Sequence, residues 1–424
     1  MSARPDRWLI ALGLVVIGAV AFAIMWSGGD PTTFRTASEP PSPAGTSTAT
    51  APVAAVTTAT ATAADSAAPY TVAMSPMGAV TFPHVPKRIV TQDANYNDIL
   101  VALGVAGNLI ATGYQNNFYD GFYHELPDFT AGLDPAHLTF LAHAGGGMFD
   151  KELLYALHPD VFHIDPVQLA SSKGWTRAGV DEVAHNVAPF FANRYSRDDN
   201  YAGKDPYAYY TLWELSEKIA EIYHRPARIT QLKAVYDGML ATITAKLPPP
   251  AQRPRLGLVF YSNGKFTPYS LTRGGFGQAQ YRDVGVGDAF APIAEKTYGG
   301  SGDAGAALDL EGLLALDPDV LIVPFAIYPG TASATSRTAY EHLLALKDAP
   351  LAKRLSAFKS ARVYPGGTPL QGPVFYLFQI EMAAKQIYPQ LFGAYRDDQQ
   401  YPAGEQLFDR ARVAAILEGR LDAQ

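Results

Sequence analysis

The sequence predicts an α/β protein whose two similar lobes face each other across a cleft. Three observations lead to this prediction: a motif that occurs twice, an alternation of short strands and helices, and a long helical stretch between the motif copies. The copies, residues 152–161 and 311–320, are identical at seven of ten positions. Each is typical of a short helix that Pro-Asp ends and a buried parallel strand that follows. Repeats this far apart indicate two lobes rather than a solenoid, whose repeats are much shorter.

The elements of the first lobe follow in order along the chain. A strand pair around the turn Met77-Gly78 comes first, then a strand, a helix that Gly104 ends, and another strand. The predicted ranges are 70–72, 79–82, 88–91, 97–104 and 109–113. Strands that alternate with helices in this way are typical of a parallel sheet covered by helices.

A long helical stretch occupies residues 209–247. Two apolar stripes at helical spacing run along it, and Pro226 interrupts them. We expect it to form a stiff connection between the lobes. The second lobe then opens with a strand at 256–260 and closes with an amphipathic helix at 375–388, while the residues after Asp397 show no clear pattern.

Composition excludes several classes of protein. The chain has 424 residues, of which 48% are hydrophobic and 17% charged, enough for two domains with cores of their own. A formal charge of -7 and the lack of basic runs argue against nucleic acid as a partner. Because the chain has no cysteine, disulfides, zinc–thiolate sites and a cysteine nucleophile are excluded.

The N-terminal region predicts a membrane anchor and a linker. Arg4 and Arg7 precede an uncharged run at 8–26 that is just long enough to cross a bilayer, which places the rest of the chain outside the cytoplasm. A cleavable signal peptide is the alternative. The Ala, Thr, Ser and Pro residues that follow predict a flexible tether. The predicted organisation is an anchor or signal at 1–29, a linker at 30–69, an N-terminal lobe at 70–206, a bridging helix at 207–250 and a C-terminal lobe at 251–424.

These patterns together resemble a known family, the substrate-binding proteins of bacterial ABC importers for iron-siderophores, haem and cobalamin. The segments that carry the resemblance are 87–90, 99–104, both repeated motifs, 360–364 and 383–392. The resemblance implies a class III periplasmic binding protein, with two three-layer Rossmann-like lobes, parallel sheets and a single long backbone helix. It also implies a monomer outside the cytoplasm that binds a small-molecule metal chelate and delivers it to an ABC permease and its ATPase.

The family resemblance gives the repeated glutamates a role. In the family, one glutamate on each lobe docks onto arginines of the permease, and by motif position these are Glu152 and Glu311. We expect both glutamates to lie on lobe surfaces away from the cleft. The alternative is that each merely complements the dipole of its helix.

The ligand site is expected at the carboxyl ends of the parallel strands, where doubly wound domains bind their ligands. Aromatic rings suit a large chelate, and a cation would bind an anionic one. The predicted ligand-binding residues are Tyr96, Tyr114, Phe149, Tyr261, Arg273, Tyr298 and Tyr328.

An enzyme is not predicted, because the chain has no phosphate loop, no Gly-x-Ser-x-Gly elbow and no His-Glu-x-x-His motif. The spacing of His137, His143, His158 and His163 fits no single helical face, so no metal site and no resident cofactor are expected. The ligand is expected to be a ferric siderophore or a similar metal chelate, with haem and cobalamin as alternatives. A sensory or surface binding module of the same fold remains an alternative function.

Overall fold

The computed structural model describes residues 68–113, 122–141, 149–197, 207–271, 275–293, 307–327, 334–368 and 371–421. The predicted anchor and nearly all of the predicted linker lie outside these residues. Within them, no helix has both the length and the hydropathy needed to cross a bilayer.

Eleven strands and thirteen α-helices are described in these residues. The strands are β1 (Tyr70–Met74), β2 (Gly78–Phe82), β3 (Ile89–Thr91), β4 (Leu109–Thr112), β5 (Thr139–Phe140), β6 (Val161–His163), β7 (Arg255–Ser262), β8 (Lys265–Pro268), β9 (Gly287–Asp288), β10 (Val320–Val323) and β11 (Val363–Pro365). The helices are α1 (Ala94–Ala102), α2 (Lys151–Ala156), α3 (Pro166–Ala170), α4 (Arg177–Asn186), α5 (Leu212–Ile222), α6 (Pro226–Thr244), α7 (Ala279–Asp283), α8 (Leu310–Leu316), α9 (Ala334–Ala345), α10 (Ser356–Lys359), α11 (Phe375–Ile387), α12 (Pro389–Phe392) and α13 (Arg410–Leu417).

The first lobe contains a parallel sheet in the order β5-β4-β3-β6. A parallel bridge between Phe162 and Phe190 adds one more chain segment beyond β6. The hairpin of β1 and β2 forms a separate antiparallel sheet that packs on α5.

The second lobe repeats this arrangement. Its sheet has the order β11-β10-β7-β8, and β9 pairs in parallel with the start of β7. The strands β7, β10 and β11 are parallel, whereas β8 is an antiparallel addition. The predicted fold class, α/β with two lobes and parallel sheets, is therefore confirmed.

Each copy of the repeated motif is held by the same clasp. In the first lobe, the Asp160 carboxylate accepts hydrogen bonds from the backbone N–H groups of Lys87 (2.7 Å) and Arg88 (2.9 Å), next to the start of β3. The Arg88 guanidinium in turn donates to the carbonyls of Leu157 and His158 at the end of α2. A strand start and a helix end thus satisfy each other's unpaired backbone groups.

The second lobe has the equivalent clasp. Asp319 accepts from the backbone N–H of Arg255 at 2.8 Å, and the Arg255 guanidinium donates to the carbonyls of Leu316 and Asp317. Asp317 has a φ of 41° and His158, its counterpart, a φ of 44°, so both helices end with one left-handed residue.

Two helices connect the lobes, with α6, of 19 residues, leading into the second. The apolar stripes predicted from sequence lie in the core: Leu215 and Ile219 of α5 and Ile229 and Leu232 of α6 are almost wholly buried. The helix predicted at 97–104 begins earlier, at Ala94, because the Asp93 carboxylate caps it by accepting from the Asn95 N–H.

The residues after Asp397, which show no clear sequence pattern, form an ordered C-terminal segment. Its helix, α13, packs against α6 and also against α1 of the first lobe, although it follows the second lobe in sequence. Arg228 of α6 donates to the Leu417 carbonyl at 2.8 Å. The segment therefore contacts the first lobe and the helix that leads into the second.

Candidate functional site

The carboxyl edges of the two sheets meet, as the predicted cleft requires. The backbone N–H of Gly277 in the second lobe donates to the Arg197 carbonyl in the first at 3.0 Å. The Asn95 side chain in the first lobe donates to the Gln371 carbonyl in the second at 2.6 Å. These bonds join the two lobes at the base of the cleft.

Charged groups occupy the first-lobe side of this base. Asp93 follows β3, and its Oδ2 lies 3.8 Å from Arg197 Nη1 and 3.9 Å from Arg194 Nε. The Arg194 side chain is 14% exposed, which makes it the more accessible of the two arginines. The cluster thus places two cations beside one carboxylate at the carboxyl edge of the first sheet.

A second carboxylate lies beside this cluster. Asp165 follows β6 and accepts hydrogen bonds from the Val167 and Gln168 N–H groups, the Arg194 N–H and the Tyr207 hydroxyl. Burial raises the pKa of Asp165, while the hydrogen bonds that it accepts act in the opposite direction. Asp165 thereby fixes the loop that carries Arg194.

Uncharged amides occupy the second-lobe side. Four buried glutamines bond to one another, with Gln280 accepting from Gln371 at 3.0 Å and Gln371 accepting from Gln379 at 2.9 Å. Gln278 donates to the carbonyls of Gly367 and Thr368, just after β11. Amides that pair with each other in this way hold a rigid, neutral floor without a buried charge.

An aromatic trio lies at the carboxyl edge of the second sheet. Phe260, Tyr269 and Phe325 are half-buried, and their ring centroids are 5.6 to 5.8 Å apart. Phe325 has a φ of 63°, a strained conformation for a bulky residue, and its N–H donates to the Gly367 carbonyl. Such rings offer an apolar contact surface to a large ligand.

A small cavity lies between the lobes beside the charged cluster of Asp93 and Arg197. It has a volume of about 10 Å³ and is lined by residues that include Asp93, Asn95, Arg197 and Phe276. This volume matches one water molecule and not a chelate.

Three of the predicted ligand-binding residues lie in the described part of the chain. Tyr96 is 1% exposed; its ring stacks on His163 and its hydroxyl accepts from the Asn193 N–H. Phe149 is 2% exposed and packs in the first-lobe core, with its carbonyl bound by Trp175. Tyr261 is half-buried against Phe266. The other four, Tyr114, Arg273, Tyr298 and Tyr328, lie outside the described residues.

The histidines that the structure describes do not assemble into a site. His163 is buried between the Phe191 carbonyl, to which Nδ1 donates, and the Tyr223 hydroxyl, and burial lowers its pKa to about 4. His137 pairs with Asp134 on the surface, and His143 lies outside the described residues. Among the described residues, no group of three His, Asp or Glu side chains could hold a metal ion.

The paired glutamates occupy equivalent surface positions. Glu152 is the second residue of α2 and Glu311 the second of α8; both are exposed, and an aspartate, Asp150 or Asp309, caps each helix. Phe149, just before α2, lies close to Gly113 after β4, so the start of α2 is at the carboxyl edge of the sheet. The start of α2, with Glu152, therefore lies near the carboxyl edge of the first sheet, and the docking role of both glutamates stays a prediction.

Comparison with known proteins identifies the family. The profile of the periplasmic binding protein family matches residues 89–369, about two thirds of the chain. The chain belongs to this family. It is a family of binding proteins and not of enzymes, and its members act outside the cytoplasm. A search of curated protein sequences found no significant match.

Solved structures of periplasmic binding proteins share the fold. The iron uptake ABC transporter substrate-binding protein PiuA from Streptococcus pneumoniae is 17% identical, with a TM-score of 0.52 over 75% of this chain and 98% of PiuA. The siderophore-binding protein BauB, bound to acinetobactin and ferric iron, is 18% identical, with a TM-score of 0.50 over 75% and 98%. The petrobactin-binding protein YclQ from Bacillus subtilis is 16% identical, with a TM-score of 0.50 over 76% and 99%.

In this periplasmic binding protein, sequence reasoning missed the charged cluster. Arg194 and Arg197 follow the apolar run at 188–192, which comes directly after α4 and pairs with β6. An apolar run after a helix is the usual signal of a further parallel strand, and its carboxyl end is a ligand-binding position.

Proposed function

We propose that this periplasmic binding protein captures a metal chelate of the ferric-siderophore class in its cleft and delivers it to the permease of an ABC importer. The observation that carries the proposal is the aromatic trio, Phe260, Tyr269 and Phe325, at the carboxyl edge where the family binds its ligands. BauB and PiuA, which have the same fold, are named for siderophore binding and iron uptake.

The chemistry of the two edges suits such a ligand. A siderophore complex presents apolar or aromatic surface together with oxygen atoms around the metal. The aromatic trio would pack against the apolar surface of the complex, and the Arg194 guanidinium would donate to its oxygen atoms. The iron arrives already chelated, so the protein needs no metal ligands of its own.

Direct binding measurements test the proposal. The protein purified from its own host, analysed by native mass spectrometry and absorption spectroscopy, should carry a chelate of defined mass. In titrations that follow tryptophan fluorescence, a ferric catecholate, a ferric hydroxamate and haemin would be compared. At least one ferric siderophore complex should bind with a Kd of about 1 μM or below, and failure of all of them to bind contradicts the proposal.

A variant pair locates the binding. Tyr269→Leu should raise the Kd about fivefold, because removal of one aromatic contact costs on the order of 1 kcal/mol. Tyr155→Leu is the matched control, since Tyr155 is half-buried on α2 and its hydroxyl pairs with Glu182. Equal affinities of the two variants would remove the trio from the site.

A further inference from the structure

The N-terminus of α11 is capped by the opposite lobe. Its own N-cap residue, Val374, has no side-chain hydrogen bond to offer. Instead, the carboxylate of Asp98, in α1 of the first lobe, accepts from the N–H groups of Val374 (2.8 Å) and Phe375 (3.2 Å). The first N–H groups of a helix need such acceptors, and a carboxylate also complements the helix dipole.

The surroundings of Asp98 are built for this contact. Asp98 is wholly buried, and its other oxygen accepts from the Tyr123 hydroxyl at 2.7 Å. A Cβ atom on Gly372 would stand 2.2 Å from Asp98 Oδ2, so only glycine fits there. The Tyr123 ring packs against Phe375, with centroids 5.2 Å apart.

Asn95 makes a second contact from the same helix. It precedes Asp98 by three residues, so both side chains lie on one face of α1. The Asn95 side chain donates to the Gln371 carbonyl. Residues 371–375 connect the segment after β11, which holds the glutamine floor, to α11. Both ends of this connection are thus bound to the first lobe.

We infer that Asn95 and Asp98 are positioning residues, which set the width of the ligand cleft by fixing residues 371–375 of the second lobe to α1 of the first. The two lobes share one apolar core, and Asn95 and Asp98 add directional hydrogen bonds across it that fix how the lobes lie. A cleft that is already held at the right width binds a ligand more tightly, because less conformational freedom is lost on binding. The statement about affinity rests on the proposed function; the statement about lobe geometry does not.

Interlobe distances test the geometry directly. The full chain has no cysteine, so Ala178→Cys on α4 and Ala345→Cys on α9, both at exposed positions, allow two spin labels and electron–electron resonance. The unmodified pair should give one narrow distance distribution. Asp98→Ala should broaden it, because the N–H groups of Val374 and Phe375 lose their acceptor, and Asn95→Ala should broaden it less.

A matched control separates lobe geometry from loss of a helix cap. Asp309→Ala removes the cap of α8, where Asp309 accepts from Gly312 within the second lobe, and should leave the distribution narrow. Asp98→Asn is isosteric and keeps an acceptor oxygen, so it should also leave the distribution narrow. If Asp98→Ala does not fold, the interlobe distance distribution of Asn95→Ala and the pH profile of Asp98→Asn decide whether these residues fix the lobe geometry.

The pH profile is a readout that simple destabilisation would not give. Burial raises the pKa of Asp98 to about 7, and the groups that face it are the Tyr123 phenol and the N–H groups of Val374 and Phe375. When the lobes are held together, burial of Asp98 outweighs these hydrogen bonds and favours its protonated form. The interlobe distance distribution of the parent protein should therefore narrow as pH falls from 8 to 5. In Asp98→Asn it should not change with pH.

The affinity readout keeps the two proposals apart. With a ferric complex that binds the parent protein, Asp98→Ala should raise the Kd about tenfold and Asp309→Ala should not. If no ferric complex binds the parent protein, the proposed function fails, while the distance measurement still decides the lobe geometry. A narrow, pH-independent distribution in Asp98→Ala and in the parent protein overturns the inference.

Discussion

The amino edges of the two lobes use the same side chains at the same positions. Arg88 and Asp160 in the first lobe correspond to Arg255 and Asp319 in the second. In each lobe the aspartate accepts from the backbone N–H of the arginine, and the guanidinium donates to carbonyls at the end of a helix. The carboxyl edges differ. The first carries Asp93, Asp165 and two arginines, whereas the second carries four paired glutamines and three aromatic rings.

This difference separates the parts of a lobe that build the fold from those that meet the ligand. At the amino edge, a strand start and a helix end leave unpaired backbone groups, and any lobe of this kind must satisfy them. At the carboxyl edge the helix starts also need acceptors, but the other side chains there are not tied to backbone groups in this way. Two lobes of one architecture can therefore offer a ligand charged donors from one side and an apolar surface from the other.

The paired glutamates provide the largest expected effect. If Glu152 and Glu311 dock the permease, changing both to Ala should abolish ligand-dependent uptake or ATPase stimulation and leave ligand affinity unchanged. Each single change should have a smaller and similar effect, because a two-point contact keeps part of its strength when one point remains. Transport assays at two salt concentrations would check this, since exposed ion pairs weaken as salt rises. Normal transport by the double variant would return both residues to the role of helix-start charges.

Arg410 gives the largest expected effect on stability. Its guanidinium donates to Glu125 of the first lobe at 2.7 Å and to Glu381 of α11 at 2.9 Å, and the exposures of the three side chains are 3%, 16% and 0%. Arg410→Met leaves the buried Glu381 and the half-buried Glu125 without this partner and should lower the free energy of unfolding by about 3–5 kcal/mol. Urea unfolding would measure the loss.

A second substitution tests the cause of that loss. Glu381→Gln added to Arg410→Met removes the charge that was left uncompensated and should restore part of the stability. If the double variant is as unstable as Arg410→Met, lost packing and not an unpaired charge is responsible.

The clasps at the amino edges should show the smallest effects. Asp160→Ala and Asp319→Ala each remove acceptors from partly exposed N–H groups and should cost about 1 kcal/mol of unfolding free energy. Asp160 accepts two such bonds against one for Asp319, so its loss should be slightly greater. Asp348→Ala, at an exposed site with one long ion pair of 3.6 Å, is the control for loss of a surface carboxylate. A large loss of unfolding free energy from only one of these two substitutions would show that the two clasps are not equivalent.

The fold was predictable because its signals are local. The repeated Pro-Asp motif, the helical stripes around Ile219 and Leu232 and the alternating strands each occupy a short window of sequence. Asp93 also follows a local rule, since a cap lies beside its helix, but the apolar run that predicts the helix at 97–104 begins only at Ile99.

The lobe contacts could not be predicted in this way. Asp98 caps a helix that begins at residue 375, and no local pattern connects the two. The ion pairs of Arg410 join α13 to the turn at Glu125 and to α11, so only the folded chain brings them together. The glutamine floor could likewise not be predicted, because its four amides come from two distant stretches of the chain, 278–280 and 371–379.

The packing of α13 gives the chain an order of assembly. This helix contacts α1 and α6, and the Leu417 carbonyl receives its hydrogen bond from Arg228. During synthesis and export, the first lobe emerges long before these residues do, and domains generally fold as they emerge. Here the first lobe lacks one of its packing partners until almost the whole chain has appeared. Its final packing must therefore await the release of the C-terminal segment.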